Sequence, residues 1–455
     1  MVTQKKLTKN QKESIFLLQI GTFLEYFDLM LYVHMAVVLN ELFFPPSDPK
    51  TTALLSAFAF CSIYVLRPFG ALIFGYIGDA YGRKPTIIIT TGMMALSSFF
   101  MASMPTYANI GITAAIMVSV LRIVQGMTSM GEIMGARIYI SEITKPPMQY
   151  SAVSSVTIAS VSGSMFALGI ATLVTRSGFN WRYAFLAGAV VALIGITART
   201  RLRETPDFAD ARRRRQKAIE EAKEQGLKKP AELLASLNKM NNSKKVKIRH
   251  FLHYISLYAG WPFCFCLGYM TFIPVLKSHC GYSSADVIAH NLYLVIFEGI
   301  AIISLVILSK RIYPLFIVKY RTLIFILVII VLPFFVNSKP NQYYIFAIQT
   351  FIVMFGLSVV PADAIFIKHF PIFSKFTTAA FGCALSHALM YIIVSFGLVY
   401  LTEWFGYFGI WVIAFPLVFF WLKAVKYYEN LEKEVQNYPI NGELQFRPHQ
   451  EPFDD

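Results

Sequence analysis

For its size, this chain is short of charge. Asp, Glu, Lys and Arg make up 15% of its 455 residues, whereas a soluble domain carries about one in four. Together with a hydrophobic content of 56% and a mean hydropathy of +0.54, this excludes an ordinary water-soluble fold. Cysteine is scarce as well. The five, Cys61, Cys264, Cys266, Cys280 and Cys383, are odd in number, and Cys264 and Cys266 enclose a single residue. Neither a disulfide framework nor a thiolate metal site fits that pattern. They read as free, buried thiols, with Cys280 near a membrane face. No small-residue cleavage site follows the basic N-terminus, so the first apolar run is expected to direct insertion itself. His279, Asp286 and His290 come nearest to a reactive cluster, but their spacing fits no metal or triad template. No cofactor and no metal are expected.

Long apolar runs are what the sequence has in abundance. Twelve of membrane-spanning length lie near 15–38, 53–77, 86–104, 110–140, 150–174, 183–202, 251–276, 287–308, 315–336, 341–367, 376–401 and 406–427. The expected fold is an all-α polytopic membrane protein of twelve transmembrane helices. The 40 Phe and 24 Tyr suit lipid-facing and interfacial positions. Lys and Arg collect at the N-terminus and after even-numbered spans, which places both termini on the cytoplasmic side. The net charge of +15 follows from that loop bias and from attraction to the anionic inner leaflet, and no nucleic-acid partner is expected.

One long hydrophilic stretch divides the chain: a six-span half (1–202), a basic cytoplasmic loop (203–249), a second six-span half (250–428) and a tail (429–455). Residues 201–249 carry fifteen Lys and Arg against seven Asp and Glu, about eight of the net charges. The loop contains Arg212, Arg213, Arg214 and Arg215, then a helix-prone run over 216–226. It reads as a linker held near anionic lipid. The tail loses its apolar period, gains acids and prolines, and is expected to be disordered. Ser141-Glu142-Ile143-Thr144-Lys145-Pro146-Pro147 after span 4 is echoed by Lys368-His369-Phe370-Pro371 after span 10. Such an echo suggests a duplicated six-span unit, as in secondary transporters.

Ionisable residues inside spans carry the functional expectations, because burying them in lipid is unfavourable without a purpose. Glu25 lies roughly 16 Å into span 1, about the midplane, and Asp28 shares its helical face. Two close acids in a dry cavity cannot easily both be ionised, so at least one should hold a proton near neutral pH. Arg67 in span 2 and Arg122 in span 4 each need a carboxylate or an aqueous cavity. Arg67 is equally suited to a substrate carboxylate and to bracing span 1. Glu132 is too far along span 4 to partner Arg122, and needs its own counter-ion or a proton. The second half offers Glu298, Asp363 and His387. Asp363 follows Pro361, where a broken helix would open backbone carbonyls to a cavity. His387 reads as a packed core residue. Tyr258, Trp261, Phe263 and Tyr269 in span 7 form either an aromatic box for a quaternary ammonium or plain packing.

Between spans 2 and 3, Gly75, Asp79, Gly82, Arg83 and Lys84 resemble the G-x-x-x-D-x-x-G-R-K signature of the major facilitator superfamily. Further stretches resemble its metabolite:proton symporter family, which includes proline/betaine, shikimate, citrate and 2-oxoglutarate carriers. These are Glu25-Tyr26-Phe27-Asp28, Arg67-Pro68-Phe69-Gly70, Arg122-Ile123-Val124-Gln125-Gly126 with Gly131-Glu132, Ile140-Ser141-Glu142, Trp181-Arg182 and Arg203-Glu204-Thr205-Pro206. The resemblance runs through residues 15–207 and loosens beyond. The loop at 310–321 lacks the Gly and Asp of the signature, and Lys375 stands where the family often has arginine.

The resemblance implies the major facilitator fold. It also implies that Glu25, Asp28, Arg122 and Glu132 belong to the central cavity or the coupling machinery. Proton coupling is expected at Glu25, Asp28 and Glu132, and a substrate cavity at Arg67, Arg122, Tyr258, Trp261 and Asp363. Gating is expected at Gly75, Asp79, Gly82, Arg83, Lys84 and Arg137. Asp79 has Arg83 and Arg137 as basic candidates, and the positive N-terminal end of span 11, near Lys375, as another. The implied function is proton-coupled symport of a small polar metabolite by a multi-pass protein of the inner (plasma) membrane. It would work as a monomer with substrate, protons and the lipid bilayer as its only partners. A proline/betaine-type zwitterion and an organic acid are the two substrate readings. From other classes, a non-transporting nutrient sensor and a polytopic membrane enzyme are the alternatives.

Overall fold

The computed structural model describes residues 6–44, 49–177, 180–224, 247–338, 340–435 and 438–439. The only conformation that satisfies every backbone polar group of a lipid-immersed apolar segment locally is a helix. The apolar runs accordingly form helices. Span 1 is Lys9–Phe43, span 2 Pro49–Ala80, span 3 Arg83–Ser103, span 4 Ile112–Ile143, span 5 Met148–Ser177 and span 6 Trp181–Arg199. In the second half, span 7 runs in pieces (Ile248–Tyr258, Gly260–Phe265, Cys266–Met270, Ile273–Cys280) and span 8 is Ser284–Leu308. Span 9 is Pro314–Asn337, span 10 is Gln342–Phe355 followed by Asp363–Lys368, span 11 is Lys375–Phe405 and span 12 is Gly409–Glu434. Eight stretches of the described residues are long and apolar enough to cross a membrane, and one of them, 375–434, contains two successive helices.

Within the first half, span 1 packs on span 5, span 2 on span 4, and span 3 on span 6. The halves meet where span 2 lies along span 11 and span 5 along span 8. Among the described residues two spans are interrupted, both in the second half. Span 7 changes to a π-helical turn at Cys266–Met270, a distortion that concentrates at functional sites. Span 10 opens between Phe355 and Asp363. Arg321 of span 9 donates to two of the carbonyls this break releases, Met354 O at 3.0 Å and Val360 O at 3.1 Å. Ser154 of span 5 donates to a third, Pro361 O at 3.3 Å. Irregular backbone at membrane depth is thus satisfied by protein.

The structure revises two expectations outside the spans. In the hydrophilic stretch, Pro206–Glu224 is a helix, with Arg212, Arg213, Arg214 and Arg215 exposed; residues 225–246 lie outside the described residues. The tail does not begin at 429, because span 12 stays helical to Glu434. Two of its acids are paired: Glu429 meets Lys319 at 2.6 Å, and Glu432 meets Lys368 at 2.6 Å and His369 at 2.7 Å. Residues 440–455 lie outside the described residues. Cys264, Cys266 and Cys383 are buried and Cys280 is half-buried, and none of the four forms a disulfide among the described residues. The side chain of Cys61 lies outside the described residues.

Candidate functional site

Span 1 carries charge on one face and an aromatic wall on the next. Glu25 and Asp28, three residues apart, point into the interior of the first half, where they line a cavity of about 230 Å³ with Arg67, Arg122, Gln125 and Ser129. All four ionisable groups are buried. Arg122 lies over the Tyr32 ring at 4.0 Å and donates to Gln125 Oε1 at 2.7 Å. Gln125 in turn donates to Asp28 Oδ2 at 3.3 Å, and the Ser98 hydroxyl donates to the same oxygen. Arg67 lies over the Tyr64 ring at 4.4 Å. Among the described residues neither Glu25 nor Asp28 forms an ion pair within 4.0 Å. Nε and Nη2 of both Arg67 and Arg122 make no hydrogen bond among the described residues. Among the described residues, two acids and two bases thus share one buried pocket without a completed salt bridge, an arrangement sensitive to any added proton.

Glu132 has a counter-ion that sequence reasoning did not name. Arg199, the last residue of span 6, forms an ion pair with it and donates a second hydrogen bond of 2.7 Å. Thr91 donates to the same carboxylate at 2.9 Å. The guanidinium also reaches the Leu17 and Leu18 carbonyls of span 1 at 3.2 and 2.9 Å. Glu132 therefore ties spans 1, 3, 4 and 6 together. It still lines, with Asp28, Ser98 and Thr91, a second cavity of about 260 Å³. Arg199 looks from the sequence like one more positive charge at a span end, and only its burial marks it out.

Tyr26 faces the other way, because successive helical residues are about 100° apart. It opens onto a third cavity, about 420 Å³ between the halves, lined also by His34, Thr157, Trp261, Phe265, Tyr269 and Glu298. Trp261, Phe265 and Tyr269 recur every four residues in span 7, with ring centroids 5.4 and 5.3 Å apart. Tyr26 meets Trp261 edge-on at 6.4 Å, and Tyr269 donates to Glu298 Oε2 at 2.9 Å. The four-residue spacing is the signal that would have picked out Phe265 in place of Phe263. His387 is buried against Trp261, centroids 5.7 Å apart.

The expected substrate cavity therefore comes apart into three places. Arg67 and Arg122 line the pocket inside the first half, and Trp261 lines the cavity between the halves. Tyr258 and Asp363 line neither: Tyr258 donates to Asp363 Oδ1 at 2.6 Å, and Arg137 pairs with the same oxygen at 3.3 Å. The reason is electrostatic. A fully buried Asp363 requires a cation, and Arg137, reaching across from span 4, is the one it meets. Arg137 is accordingly not a partner of Asp79.

Asp79 instead holds the start of span 11. Its carboxylate accepts from the Phe376 amide at 3.0 Å and the Thr377 amide at 2.8 Å, two of the N–H groups that a helix leaves unsatisfied at its N-terminus. Gly75, one turn earlier, is where the helices touch: a Cβ there would lie 2.6 Å from Thr377 Cα. Gly82 turns the chain with φ near 125°, a backbone conformation open to glycine. Arg83 pairs with Asp79 at 3.3 Å and Glu142 at 3.0 Å, and donates across the halves to Ile372 O at 2.8 Å. Lys375 approaches Glu142 to 3.4 Å. Lys84 donates to Thr200 O at 3.0 Å, while Glu204 accepts from the amides of Arg83 and Lys84 at 3.1 and 3.3 Å. On this face the two halves are closed against each other.

Comparison with known proteins places the chain. The sequence model of the Major Facilitator Superfamily matches residues 18–393. A proline/betaine transporter of Salmonella typhimurium is 32% identical over 204 residues, 43% of this chain and 41% of that protein. A putative proline/betaine transporter of Staphylococcus aureus is 32% identical over 208 residues, 44% of this chain and 45% of that protein. The match thus spans less than half of either relative. Among solved structures, the proton:xylose symporter XylE superposes with a TM-score of 0.72 at 16% identity, over 92% of this chain and 94% of that one. The human organic anion transporter MFSD10 does so with 0.62 at 13% identity, over 92% and 99%. At those identities the likeness is one of fold.

Proposed function

The chain belongs to the major facilitator superfamily, and from that premise we propose that it is a proton-coupled symporter of a small zwitterion of the proline/betaine type. Membership makes it a membrane transporter rather than an enzyme. The observation that carries the coupling is the Glu25–Asp28 pair, buried without an ion pair beside Arg67 and Arg122. A proton arriving there changes the charge of a desolvated pocket and so the relative stability of the conformations that alternate during transport. Glu132, in contact with the same neighbourhood through Asp28 and Ser98, passes the change to spans 1, 3 and 6 through Arg199. The names of the relatives support the zwitterion.

The Asp79 face is read as cytoplasmic from the positive-inside bias, with both termini on that side of a plasma membrane and a monomer as the working unit. Asp79, Arg83, Lys375 and the Arg137–Asp363 pair then form the gate that closes toward the cytoplasm. A specific observation favours a second substrate reading: the N–H groups of Arg67 and Arg122 that meet no acceptor among the described residues suit an organic acid.

Counterflow in proteoliposomes with labelled proline, betaine, 2-oxoglutarate and shikimate, with and without a pH gradient, tests the proposal. Saturable, gradient-stimulated uptake of betaine or proline is expected. Uptake confined to 2-oxoglutarate or shikimate supports the second reading. No saturable uptake of any solute removes transport of this class and leaves a sensor.

A further inference from the structure

The cavity between the halves is built for one end of a zwitterion more than for the other. Its walls are Tyr26, Trp261, Phe265 and Tyr269, and its acid is Glu298; among the described residues that line it, none is Lys or Arg. Aromatic faces at this density attract a quaternary ammonium through their negative quadrupole. Glu298 is half-buried and forms no ion pair among the described residues. Tyr269 holds one of its oxygens at 2.9 Å, and the second makes no hydrogen bond to any described residue. Arg321, in the same half, does not line the cavity and donates to the Met354 and Val360 carbonyls. Opposite, on span 5, Thr157 Oγ1 is buried in the cavity wall with no hydrogen-bond partner among the described residues. A buried polar atom of that kind calls for a ligand or water.

We infer that the substrate's ammonium group docks against Trp261, Tyr26 and Phe265 with Glu298 as its counter-charge, and that its carboxylate is met by neutral donors, Thr157 foremost, rather than by an arginine. This rests on the reading that the chain transports a zwitterion, and it assigns Arg67 and Arg122 to the coupling pocket alone. It also gives a reason for selectivity. A dicarboxylate would bring two negative charges into a cavity whose acid is Glu298 and whose described walls carry His34 but no Lys or Arg.

The test uses the full chain in proteoliposomes. Counterflow of labelled betaine is challenged with tert-butylacetate, in which carbon replaces the quaternary nitrogen at equal shape. The inference expects it to compete about tenfold more weakly than unlabelled betaine, or worse. Trp261→Leu should raise the betaine KM about five- to thirtyfold, with Trp261→Phe recovering most of it, and Glu298→Gln should raise it at least about tenfold. Competition by tert-butylacetate equal to that of betaine overturns the inference, and this arm needs no variant to fold. Betaine transport with an unchanged KM in both Trp261→Leu and Glu298→Gln overturns the placement while leaving the function standing. Transport of 2-oxoglutarate without betaine overturns both.

Discussion

Replacing Asp79 by asparagine keeps the shape of the span 2–span 11 contact and removes its charge. In the closed face the carboxylate accepts two span 11 amides, at 3.0 and 2.8 Å, and pairs with Arg83 at 3.3 Å. Asparagine offers one carbonyl oxygen for the two amides and presents N–H groups where the second amide and the guanidinium need an acceptor. A hydrogen bond to an ionised group contributes about 1.5–3 kcal/mol, and a carboxylate at a partly buried helix N-terminus up to about 2 kcal/mol. These overlap, and Arg83 retains Glu142 and the Gly78 carbonyl, so the net loss is about 2 kcal/mol. Asp79 meets the span 11 amides only while the halves are together, so the loss falls on the closed conformation and the substitution should shift the population about thirtyfold toward the conformation open on this face. Spin labels at exposed Tyr81 in one half and Ile248 in the other read that shift as a longer distance in Asp79→Asn. The order of preference among substrates should not change. Identical distance distributions in the parent and the variant would refute the reasoning and reduce the motif to a loop obeying the positive-inside bias.

Glu25→Gln and Asp28→Asn should each abolish accumulation driven by a pH gradient while leaving exchange of substrate for substrate. Gradient-driven uptake surviving in both, and in the double variant, would remove the pair from coupling. Arg199→Met should destabilise the folded protein by about 3–5 kcal/mol, because it strands Glu132 as a buried, uncompensated charge. Adding Glu132→Leu should return much of that loss, which thermal unfolding in detergent measures. If the double variant is no more stable than the single, the pair is not what ties the first half together.

The spans and their division were legible because long apolar runs leave the backbone no option but a helix. The break at span 10 was legible because Pro361 lacks the N–H that a helix interior requires. The capping of span 11 by Asp79 could be anticipated, since an acid, a tight turn and a helix start lay on the same membrane face. What stayed hidden depends on helix rotation and on partners distant in sequence. Glu25 and Tyr26 are adjacent yet line different cavities. Arg137 meets Asp363 across 226 positions, so composition alone left Arg137 near Asp79 and Asp363 in the substrate site. Arg199 and Glu432 sit at span ends, where charge is usually solvated, and only packing shows that both are buried. Polar sequence at a span end has two meanings, water or a partner, and the partner is set by the tertiary fold.

Direct observation of protons moving with substrate tests the central claim most closely. Proteoliposomes holding a pH-sensitive dye, with no gradient imposed, are given external betaine. A saturable acidification of the lumen is expected, lost in the Glu25→Gln/Asp28→Asn double variant while labelled betaine still exchanges. Betaine entry with no change in lumenal pH would contradict it.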